Sequence, residues 1–283
     1  MNNKIIVFLG SRYNVLEQLI ACESLVNLKI YALKGSLLET ILIDNGIPHD
    51  VFSLEKKKDF LKMLIDIEFD ILISNGCPII FPVERFKKHQ ILINIHPTYL
   101  PYLQGKTPLN GVFYAHYDFY GATMHYIDKG IDTGDIIYQK KQKLTKDIDL
   151  GLLYHLAMKL EGVVFKQGWN KLKASNFKNI GRKQKGNPSY FNRTEVMQTI
   201  DFNSHNTDQI LLTIKSFGIE TQGSFCSIDN KKYKIIAAEK ILHKPLLDMY
   251  ANCLPGKIVL TYDTKMLIKT IDGLIKVTRF FRL

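Results

Sequence analysis

The sequence predicts an α/β protein in which a mostly parallel sheet is followed by a small β-rich domain. Up to about residue 175, short apolar runs of strand length alternate with helical patterns, which is typical of βαβ units. After residue 181 this rhythm stops, and alternating apolar runs separated by turn residues indicate antiparallel strands. We therefore divide the chain into residues 1–181, the α/β domain, and residues 182–283, the β-rich domain.

The strands predicted for the α/β domain are rich in apolar and β-branched residues. Between most of them, apolar residues recur at the spacing of one helix face. The predicted strands are Ile5 to Leu9, Leu28 to Leu33, Ile71 to Ser74, Ile91 to Ile95, Ala122 to Ile127 and Ile136 to Lys140. The predicted helices lie near residues 14–24, 35–44, 56–66 and 107–115.

A long amphipathic helix is predicted from Asp149 to about Lys173, where it closes the α/β domain. Its apolar residues repeat at i, i+3, i+4 and i+7, beginning with Leu152, Leu153 and Leu156. Because one face is apolar along the whole stretch, we expect the helix to pack against the sheet.

Turn-forming residues mark the start of the β-rich domain between Gly181 and Pro188. A helix near residues 206–216 precedes β-like runs at Lys234 to Ala237 and Lys257 to Thr261. The Asp272-Gly273 pair lies between two alternating apolar runs, which is typical of a tight β-hairpin.

Composition indicates an ordinary globular protein with reduced thiols. Hydrophobic residues make up 46% of the 283, enough for a substantial core. The four cysteines are widely spaced and form no C-x-x-C pair, so we predict a cytoplasmic protein with no metal site. The apolar run after the N-terminus is too short for a signal sequence, and no run reaches the length of about 18 residues that a membrane helix needs.

The formal net charge of +11, from 38 Lys and Arg against 27 Asp and Glu, favours an anionic partner. The excess of basic side chains is larger after residue 181 than before it. Charge alone does not separate a nucleic acid from a small phosphorylated substrate, so both stay open at this point.

Three stretches carry residue types suited to chemistry. In "LINIHPTYLPYLQG" an apolar run ends at Asn94 and His96, and the prolines that follow prevent the strand from continuing. In an open parallel sheet, ligands bind at this carboxyl edge. The other two stretches are "GATMHYIDKGIDTGDII", which contains Asp132, and "SNGCPIIFP".

Together these stretches resemble the formyltransferases that use 10-formyltetrahydrofolate, over roughly residues 1–175. The resemblance implies a Rossmann-like catalytic domain and a catalytic group of Asn94, His96 and Asp132. The wording "HPTYLPYLQGKTP" is most similar to the sugar-nucleotide N-formyltransferases. Such enzymes formylate the amine of a deoxyamino sugar attached to dTDP, UDP or GDP, for surface polysaccharides such as lipopolysaccharide O-antigen.

The chemistry of the three side chains agrees with this implication. Transfer of a formyl group to an amine needs stabilisation of an oxyanion and a route for one proton. The Asn94 amide is a donor suited to the oxyanion, His96 can donate to it or take the amine proton, and Asp132 can orient the imidazole. No metal is required. We expect a structural role for His125, which supports the loop.

The resemblance also implies a pterin site in the third stretch, formed by Cys77, Pro78, Ile79 and Ile80. Apolar walls and exposed backbone amides are the lining expected for a flat heterocycle. Asp128 is either a turn carboxylate or part of the loop that receives the pterin.

Residues for the acceptor are predicted in two places. Ser11 and Arg12 lie between the first strand and a helix, where backbone N–H groups favour a phosphate; a helix cap and a solvated Arg are the alternative. Past the long helix, four side chains are predicted to meet the base and pyrophosphate: Lys185, Asn187, Tyr190 and Phe191.

Other functions stay open from sequence alone. The tRNA enzyme of this family also carries a C-terminal β-domain, so methionyl-tRNA formyltransferase is the main alternative. A formyltetrahydrofolate hydrolase shares the catalytic residues, and a non-catalytic nucleic-acid binder would explain the charge. We expect a small nucleotide-sugar substrate rather than tRNA or a membrane, and a homodimer is one possible assembly.

Overall fold

A seven-stranded sheet organises the first part of the chain in the computed structural model, which describes residues 4–283. Its strand order is β3-β2-β1-β4-β5-β6-β7. The pairs among β1 to β5 are parallel, whereas β6 runs antiparallel to both β5 and β7. The strands are β1 (Ile6–Gly10), β2 (Leu28–Leu33), β3 (Asp50–Phe52), β4 (Ile71–Asn75), β5 (Ile91–His96), β6 (Phe119–Tyr126) and β7 (Ile136–Lys143).

The mostly parallel, Rossmann-like sheet predicted from the sequence is therefore confirmed. Strand β3 was not predicted, because three residues are too few to show an alternating pattern. Its last residue, Phe52, is buried and stacks on Phe60 at a ring separation of 4.6 Å. One side chain thus contributes most of what this short strand adds to the core.

The helices between these strands follow the predicted positions. They are α1 (Tyr13–Ile20), α2 (Leu37–Asp44), α3 (Lys57–Asp66), α4 (Pro108–Tyr114) and the long α5 (Leu150–Ala174). Ser36 caps α2 by accepting from the Glu39 N–H. Short 3₁₀ turns lie at Leu25–Asn27 and Val83–Arg85.

The order of the strands reverses direction at β1, whose neighbours are β2 and β4. A crevice outside the carboxyl ends of the strands is expected at such a switch point. Strands β1, β4 and β5 end there at Gly10, Asn75 and His96. A buried cluster with members from β1, β4 and α3, including Leu9, Leu72 and Leu64, packs these elements together.

An antiparallel five-stranded sheet forms the β-rich part, with the order β10-β11-β12-β9-β8. The strands are β8 (Ser224–Ile228), β9 (Lys231–Lys240), β10 (Ile258–Tyr262), β11 (Lys265–Lys269) and β12 (Leu274–Arg282), and the helices are α6 (Glu195–Gln198), α7 (Thr207–Phe217) and α8 (Lys244–Met249). Strands β11 and β12 pair antiparallel across Asp272-Gly273, as predicted. The start of α7 has a complete capping box between Asn206 and Gln209.

The chain groups into two compact units that are not simple halves. The first unit comprises the chain up to Pro108, Phe119–Lys143 and His155–Tyr190. The second comprises Leu109–Asp118, Leu144–Tyr154 and Phe191–Leu283. The first unit continues past residue 181, and the functional division at 181/182 stays a prediction. None of the helices in residues 4–283 is long and apolar enough to cross a membrane.

Candidate active site

The register of the first sheet brings the motif residues together. Asn94 and His96 are two residues apart on β5, so their side chains project from the same face of the strand. Across the antiparallel pair, Asn94 lies directly opposite His125 of β6. Because opposite residues in a sheet have Cβ atoms about 5 Å apart, this pairing brings the Asn94 amide within contact distance of the His125 imidazole.

Asp132 reaches the same place from the loop between β6 and β7. Its backbone is left-handed, with φ of 57°, a conformation that Asp tolerates better than most side chains. Two side-chain amides hold its carbonyl oxygen: Gln184 Nε2 donates at 2.8 Å and Gln104 Nε2 at 3.2 Å. The carboxylate itself accepts from the Gly105 N–H through Oδ2 at 3.0 Å. The loop is therefore fixed with its carboxylate pointing at β5.

Four side chains form one polar cluster: Asn94, His96, His125 and Asp132. Asp132 Oδ2 lies 3.4 Å from His96 Nδ1, and Oδ1 lies 3.5 Å from His125 Nε2. Asn94 Nδ2 is 3.2 Å from Asp132 Oδ1 and 3.2 Å from His125 Nε2. The structure thus brings together the three residues that the sequence motifs predicted and adds a fourth.

Asp132 carries the negative charge of this cluster. Burial alone would raise the pKa of its carboxyl, but the imidazoles of His96 and His125 and the Gly105 N–H outweigh burial and lower it. The side chain is 12% exposed, so water screens this charge weakly.

His96 is held between two oxygen acceptors. Its Nε2 lies 2.9 Å from the Leu103 carbonyl, and Nδ1 faces the Asp132 carboxylate. Burial lowers the pKa of His96, while Asp132 and the Leu103 carbonyl oppose this effect and His125 and Arg12 add to it. The neutral ring therefore keeps its hydrogen on Nε2, where Leu103 accepts it, and leaves a lone pair on Nδ1. Nδ1 is the atom ready to accept a proton.

Asn94 donates both hydrogens of its side-chain amide within the cluster. His125 Nδ1 lies 2.8 Å from the Tyr126 carbonyl, so this ring carries its hydrogen on Nδ1 and accepts at Nε2. Asn94 Nδ2 then donates one hydrogen to His125 and one to Asp132. To stabilise an oxyanion, the amide has to exchange one of these acceptors. Its oxyanion role stays a prediction.

The sequence predicts that His125 supports the loop, and its contact with Asp132 agrees with that role, whereas its contact with Asn94 was not predicted. The sequence shows His125 within the stretch "GATMHYID", but this position does not reveal its partner. The signal that identifies its partner is the β5–β6 register, and a one-residue slip of that register would turn the imidazole to the other face.

A cavity of about 430 Å³ opens beside the cluster. Asn94, His96, His125 and Asp132 all line it. Its apolar lining includes Cys77, Pro78, Ile79, Ile80, Phe81 and Ile127. This wall fits the flat ring of a pterin, which needs apolar contact on its faces. The volume of the cavity lies within the range of small-molecule sites.

The predicted pterin-site residues therefore all line the cavity, and their binding role stays a prediction. Ile79 is buried and Ile80 is 69% exposed, so the two present different depths of the wall. Burial raises the pKa of Cys77 to about 12, which leaves its thiol protonated and unsuited to act as a nucleophile. Asp128 Oδ1 accepts from the Gly130 N–H at 3.1 Å and from Thr133 Oγ1 at 2.6 Å, as a turn carboxylate does, and Asp128 also lines the cavity.

The residues predicted for the acceptor are placed less uniformly. Ser11 Oγ donates to the Gly76 carbonyl at 2.7 Å, and Arg12 lines the cavity but pairs with Glu161. Tyr190 lines the cavity and is 55% exposed. Lys185 and Asn187 are exposed and do not belong to the cavity lining within residues 4–283.

Phe191 does not have the exposed position that its predicted role requires. It belongs to the second unit, is 6% exposed and packs on Tyr114 with ring centroids 5.5 Å apart. From sequence alone, an aromatic residue next to a linker can be interpreted either as a binding residue or as a core residue. Its burial in the structure distinguishes the two. Lys106, which sequence reasoning missed, is an exposed cation on the cavity wall.

A larger cleft of about 990 Å³ lies in the second unit. Its lining includes Asp201, Asp229, Lys232 and Lys257, all exposed, and contains none of the predicted site residues. Its charged groups are of both signs and exposed, so this cleft does not bring together buried polar groups as the cavity beside the cluster does. The cavity beside the cluster is the candidate active site.

Two family models match the chain, one described as formyl transferase over residues 45–167 and one described as formyl transferase, C-terminal domain, over residues 194–281. The chain belongs to the formyl transferase family. The prediction of a formyltransferase enzyme is thereby confirmed at the level of the family, and the first match contains Asn94, His96 and Asp132.

One curated relative is named for a tRNA acceptor. The methionyl-tRNA formyltransferase of Clostridioides difficile is 26% identical over 142 residues, which cover 50% of this chain and 46% of that protein. The match therefore spans about half the length of that curated relative.

Two solved structures share the fold over nearly the whole chain. WlaRD, described as a sugar 3N-formyl transferase in the presence of dTDP and 5-N-formyl-THF, has a TM-score of 0.71 and 24% identity, covering 100% of this chain and 99% of that chain. The N-formyltransferase of Helicobacter canadensis, in complex with folinic acid and dTDP-3-aminofucose, has a TM-score of 0.68 and 22% identity, covering 98% of this chain and 100% of that chain. At these identities the likeness shows the fold.

Proposed function

We propose that this member of the formyl transferase family transfers the formyl group of 10-formyltetrahydrofolate to the amine of a nucleotide-linked deoxyamino sugar. The observation that carries the proposal is the cluster of Asn94, His96 and Asp132 on the wall of a cavity that also has an extensive apolar lining. The full-length likeness to WlaRD and the Helicobacter canadensis enzyme, whose descriptions name sugar or dTDP-sugar ligands, supports the choice of acceptor.

The folate, when bound, supplies a formyl carbon on nitrogen, and the acceptor amine replaces that nitrogen. His96 accepts at Nδ1 the proton that the amine loses as the new C–N bond forms. Asp132, 3.4 Å away, stabilises the resulting imidazolium, and the same proton returns to the folate nitrogen as its bond to the formyl carbon breaks. Asn94 donates to the developing oxyanion by releasing one of its present acceptors.

For the nucleotide part, we propose that the base stacks on Tyr190 and that Lys106 meets a phosphate. Both side chains line the cavity, and Lys106 is exposed. An aromatic face and a flexible cation are the groups that a nucleoside diphosphate needs. The binding roles predicted for Ser11, Lys185 and Asn187 stay predictions.

We further propose that the enzyme is cytoplasmic and that its product enters a surface polysaccharide such as lipopolysaccharide O-antigen. The first statement rests on the widely spaced cysteines and the second on the sequence resemblance. A homodimer also stays a prediction.

Methionyl-tRNA is the second candidate acceptor. Two observations favour it: the name of the Clostridioides difficile relative and the net charge of +11. A basic protein attracts polyanions, so the charge suits tRNA better than a sugar diphosphate.

The two acceptors are separated by turnover assays with 10-formyltetrahydrofolate and either methionyl-tRNA or a panel of dTDP-, UDP- and GDP-linked amino sugars. We expect turnover with at least one sugar and a mild fall of kcat/KM between 50 and 200 mM salt, because a pyrophosphate meets few cations. A protein that contacts about six to ten phosphates loses roughly 10³ to 10⁵ in duplex affinity over this range, and somewhat less with other nucleic-acid shapes. Turnover of tRNA alone with a steep salt dependence would replace our proposal.

A further inference from the structure

A segment that follows α5, residues 182–189, belongs to the first compact unit but lies outside both family matches. We call it the bridging segment. The first match ends at residue 167 and the second begins at residue 194, so neither includes it. Its start is anchored to β7, where Arg182 and Ile136 exchange two backbone hydrogen bonds of 2.8 and 3.0 Å.

Gln184, in the middle of the bridging segment, holds the loop that carries Asp132. Its Nε2 donates to the Asp132 carbonyl at 2.8 Å and to the Gly134 carbonyl at 2.9 Å. Gln104 Nε2 donates to Gln184 Oε1 at 3.3 Å, which orients the Gln184 amide with both of its hydrogens toward the loop. One side chain therefore satisfies two backbone carbonyls of the same turn.

Ser189, at the end of the bridging segment, holds a second loop beside His96. Its Oγ accepts from the Leu103 N–H at 2.9 Å, and its carbonyl accepts from the Gln104 N–H at 2.8 Å. Leu103 has φ of 57°, a strained backbone conformation for a leucine that the surrounding contacts have to maintain. The Leu103 carbonyl in turn lies 2.9 Å from His96 Nε2.

Both acceptors around the His96 ring are thus held by the bridging segment. The Leu103 carbonyl lies at Nε2, and the Asp132 carboxylate lies 3.4 Å from Nδ1. Because the Asp132 backbone is left-handed, its carboxylate keeps this direction only while contacts to the loop maintain that conformation. Gln184 supplies two of these contacts.

The position of Gln184 argues against a binding role or a core role. It does not belong to the cavity lining within residues 4–283, so it is not placed to contact a substrate. It is half-buried, and its neighbours Lys183 and Lys185 are exposed, so this part of the bridging segment adds little to the core. What Gln184 does hold is the turn of the catalytic carboxylate.

We propose that Gln184 is a positioning residue for the Asp132 carboxylate, and that the bridging segment belongs to the active site rather than serving as a linker. The proposal rests on the proposed function, in which Asp132 stabilises the protonated His96 ring. Because Gln184 bonds to the backbone of the loop, it acts on catalysis through Asp132. Its loss is therefore expected to slow the chemical step more than it weakens the binding of folate.

The test replaces Gln184 with Glu and with Met in the full chain. Glu keeps the shape of the side chain but loses both N–H donors and faces two carbonyl oxygens, whereas Met keeps the length without any donor. With whichever acceptor the wild-type enzyme turns over, kcat is expected to fall about tenfold or more in both variants, since misplacement by about 1 Å costs up to roughly 10²-fold. The KM for 10-formyltetrahydrofolate is expected to stay within about twofold of the wild-type value.

The Gly105 amide supplies a readout that needs no acceptor. Its N–H donates to Asp132 Oδ2 at 3.0 Å, so its hydrogen exchange, measured by NMR, reports whether the carboxylate is in place. Asp132→Ala sets the exchange rate for a missing carboxylate. Both Gln184 variants are expected to move the Gly105 exchange rate most of the way to that reference.

Gln198→Met is the matched control. Gln198 is buried, and its Nε2 donates to the Gly223 carbonyl at 2.7 Å, so this substitution also removes an amide donor from a backbone carbonyl, but in the second unit. It is expected to lower the melting temperature at least as much as Gln184→Met, because the carbonyl that it leaves unsatisfied is buried. It is expected to leave kcat and the Gly105 exchange rate unchanged.

Wild-type kcat in a folded Gln184→Glu protein, or wild-type Gly105 exchange in both Gln184 variants, would overturn the proposal. Equal falls of kcat in Gln198→Met and Gln184→Met would do so too, because lost stability rather than lost position would then explain the slower reaction. A wild-type enzyme that turns over neither a sugar nor tRNA would refute the proposed function instead, and Gly105 exchange would still decide the role of Gln184.

Discussion

At the scale of single residues, the surroundings of His96 decide how the site handles a proton. The ring has a carbonyl on Nε2 and a carboxylate facing Nδ1. A neutral ring donates a hydrogen bond only to the Leu103 carbonyl, whereas a ring protonated on Nδ1 also donates to the Asp132 carboxylate. Asp132 thus makes the imidazolium favourable while burial keeps it from forming before an amine delivers a proton.

Replacing His96 with Asn is expected to lower kcat by roughly 10² to 10⁴, the usual contribution of a positioned acid-base group. The Asn side chain retains an N–H donor for the interior, so the fold is expected to survive, which thermal denaturation will show. His49→Asn is the control, because that ring also contacts a backbone carbonyl, Ile47 O at 2.8 Å, but lies outside the cavity lining of residues 4–283. Equal activity of a folded His96→Asn protein and the His49→Asn control would remove His96 from the mechanism.

At the scale of secondary-structure elements, the loop between β6 and β7 delivers the carboxylate. The Asp132-x-Gly134 spacing of the motif has a steric reason. A Cβ at Gly134 would lie 1.7 Å from the Tyr126 carbonyl oxygen, so the loop can return against the end of β6 only with glycine at this position. Gln184 ties the same loop down by donating to the carbonyls of Asp132 and Gly134.

Gly134→Ala is therefore expected to push the loop away from β6 and to misplace Asp132. We expect kcat/KM to fall by about tenfold or more, since misplacement by about 1 Å costs up to roughly 10²-fold. Gly151→Ala is the matched control, because its Cβ meets nothing closer than 3.4 Å and a helical position favours alanine. The kinetics of both variants over a range of acceptor concentrations decide the matter, and wild-type kcat/KM in Gly134→Ala would show that the loop tolerates the methyl group.

At the scale of the whole molecule, the second compact unit is assembled from three stretches of the chain. Residue Asn110 of α4 belongs to it, although the sequence places this helix among the elements of the first sheet. Its side chain is 0% exposed and donates to the Ser216 carbonyl and to Gln222 Oε1, both at 2.7 Å. Removal of the C-terminal hundred residues would therefore remove both hydrogen-bond acceptors of the Asn110 amide.

Asn110→Ala is expected to lower the free energy of unfolding by about 1 to 3 kcal/mol, because the Ser216 carbonyl loses a buried donor. Asn45→Ala is the control: its amide donates to Ile41 O at 2.8 Å on the surface, and its loss is expected to change stability by less than about 0.5 kcal/mol. Urea denaturation of both variants measures the difference. Equal stabilities for the two variants would show that the Asn110 contacts contribute nothing in the interior.

Much of the fold and of the candidate site could be predicted from local pattern. Apolar runs located all strands of the first sheet except the three-residue β3, and the prolines after His96 placed the catalytic pair at the end of a strand. The hairpin at Asp272-Gly273 followed from turn chemistry alone. These features depend on neighbouring residues in the chain, and a sequence displays those directly.

By itself, the sequence determined the fold class, the family and the positions of Asn94, His96 and Asp132. Only the tertiary structure decided the partners: His125 opposite Asn94, Arg12 paired with Glu161, and Phe191 in the core. Arg12 and Glu161 are 149 positions apart, and no local pattern links them. An amphipathic pattern shows which face of α5 is buried, but the packing of the helix on the sheet decides which side chain it meets there.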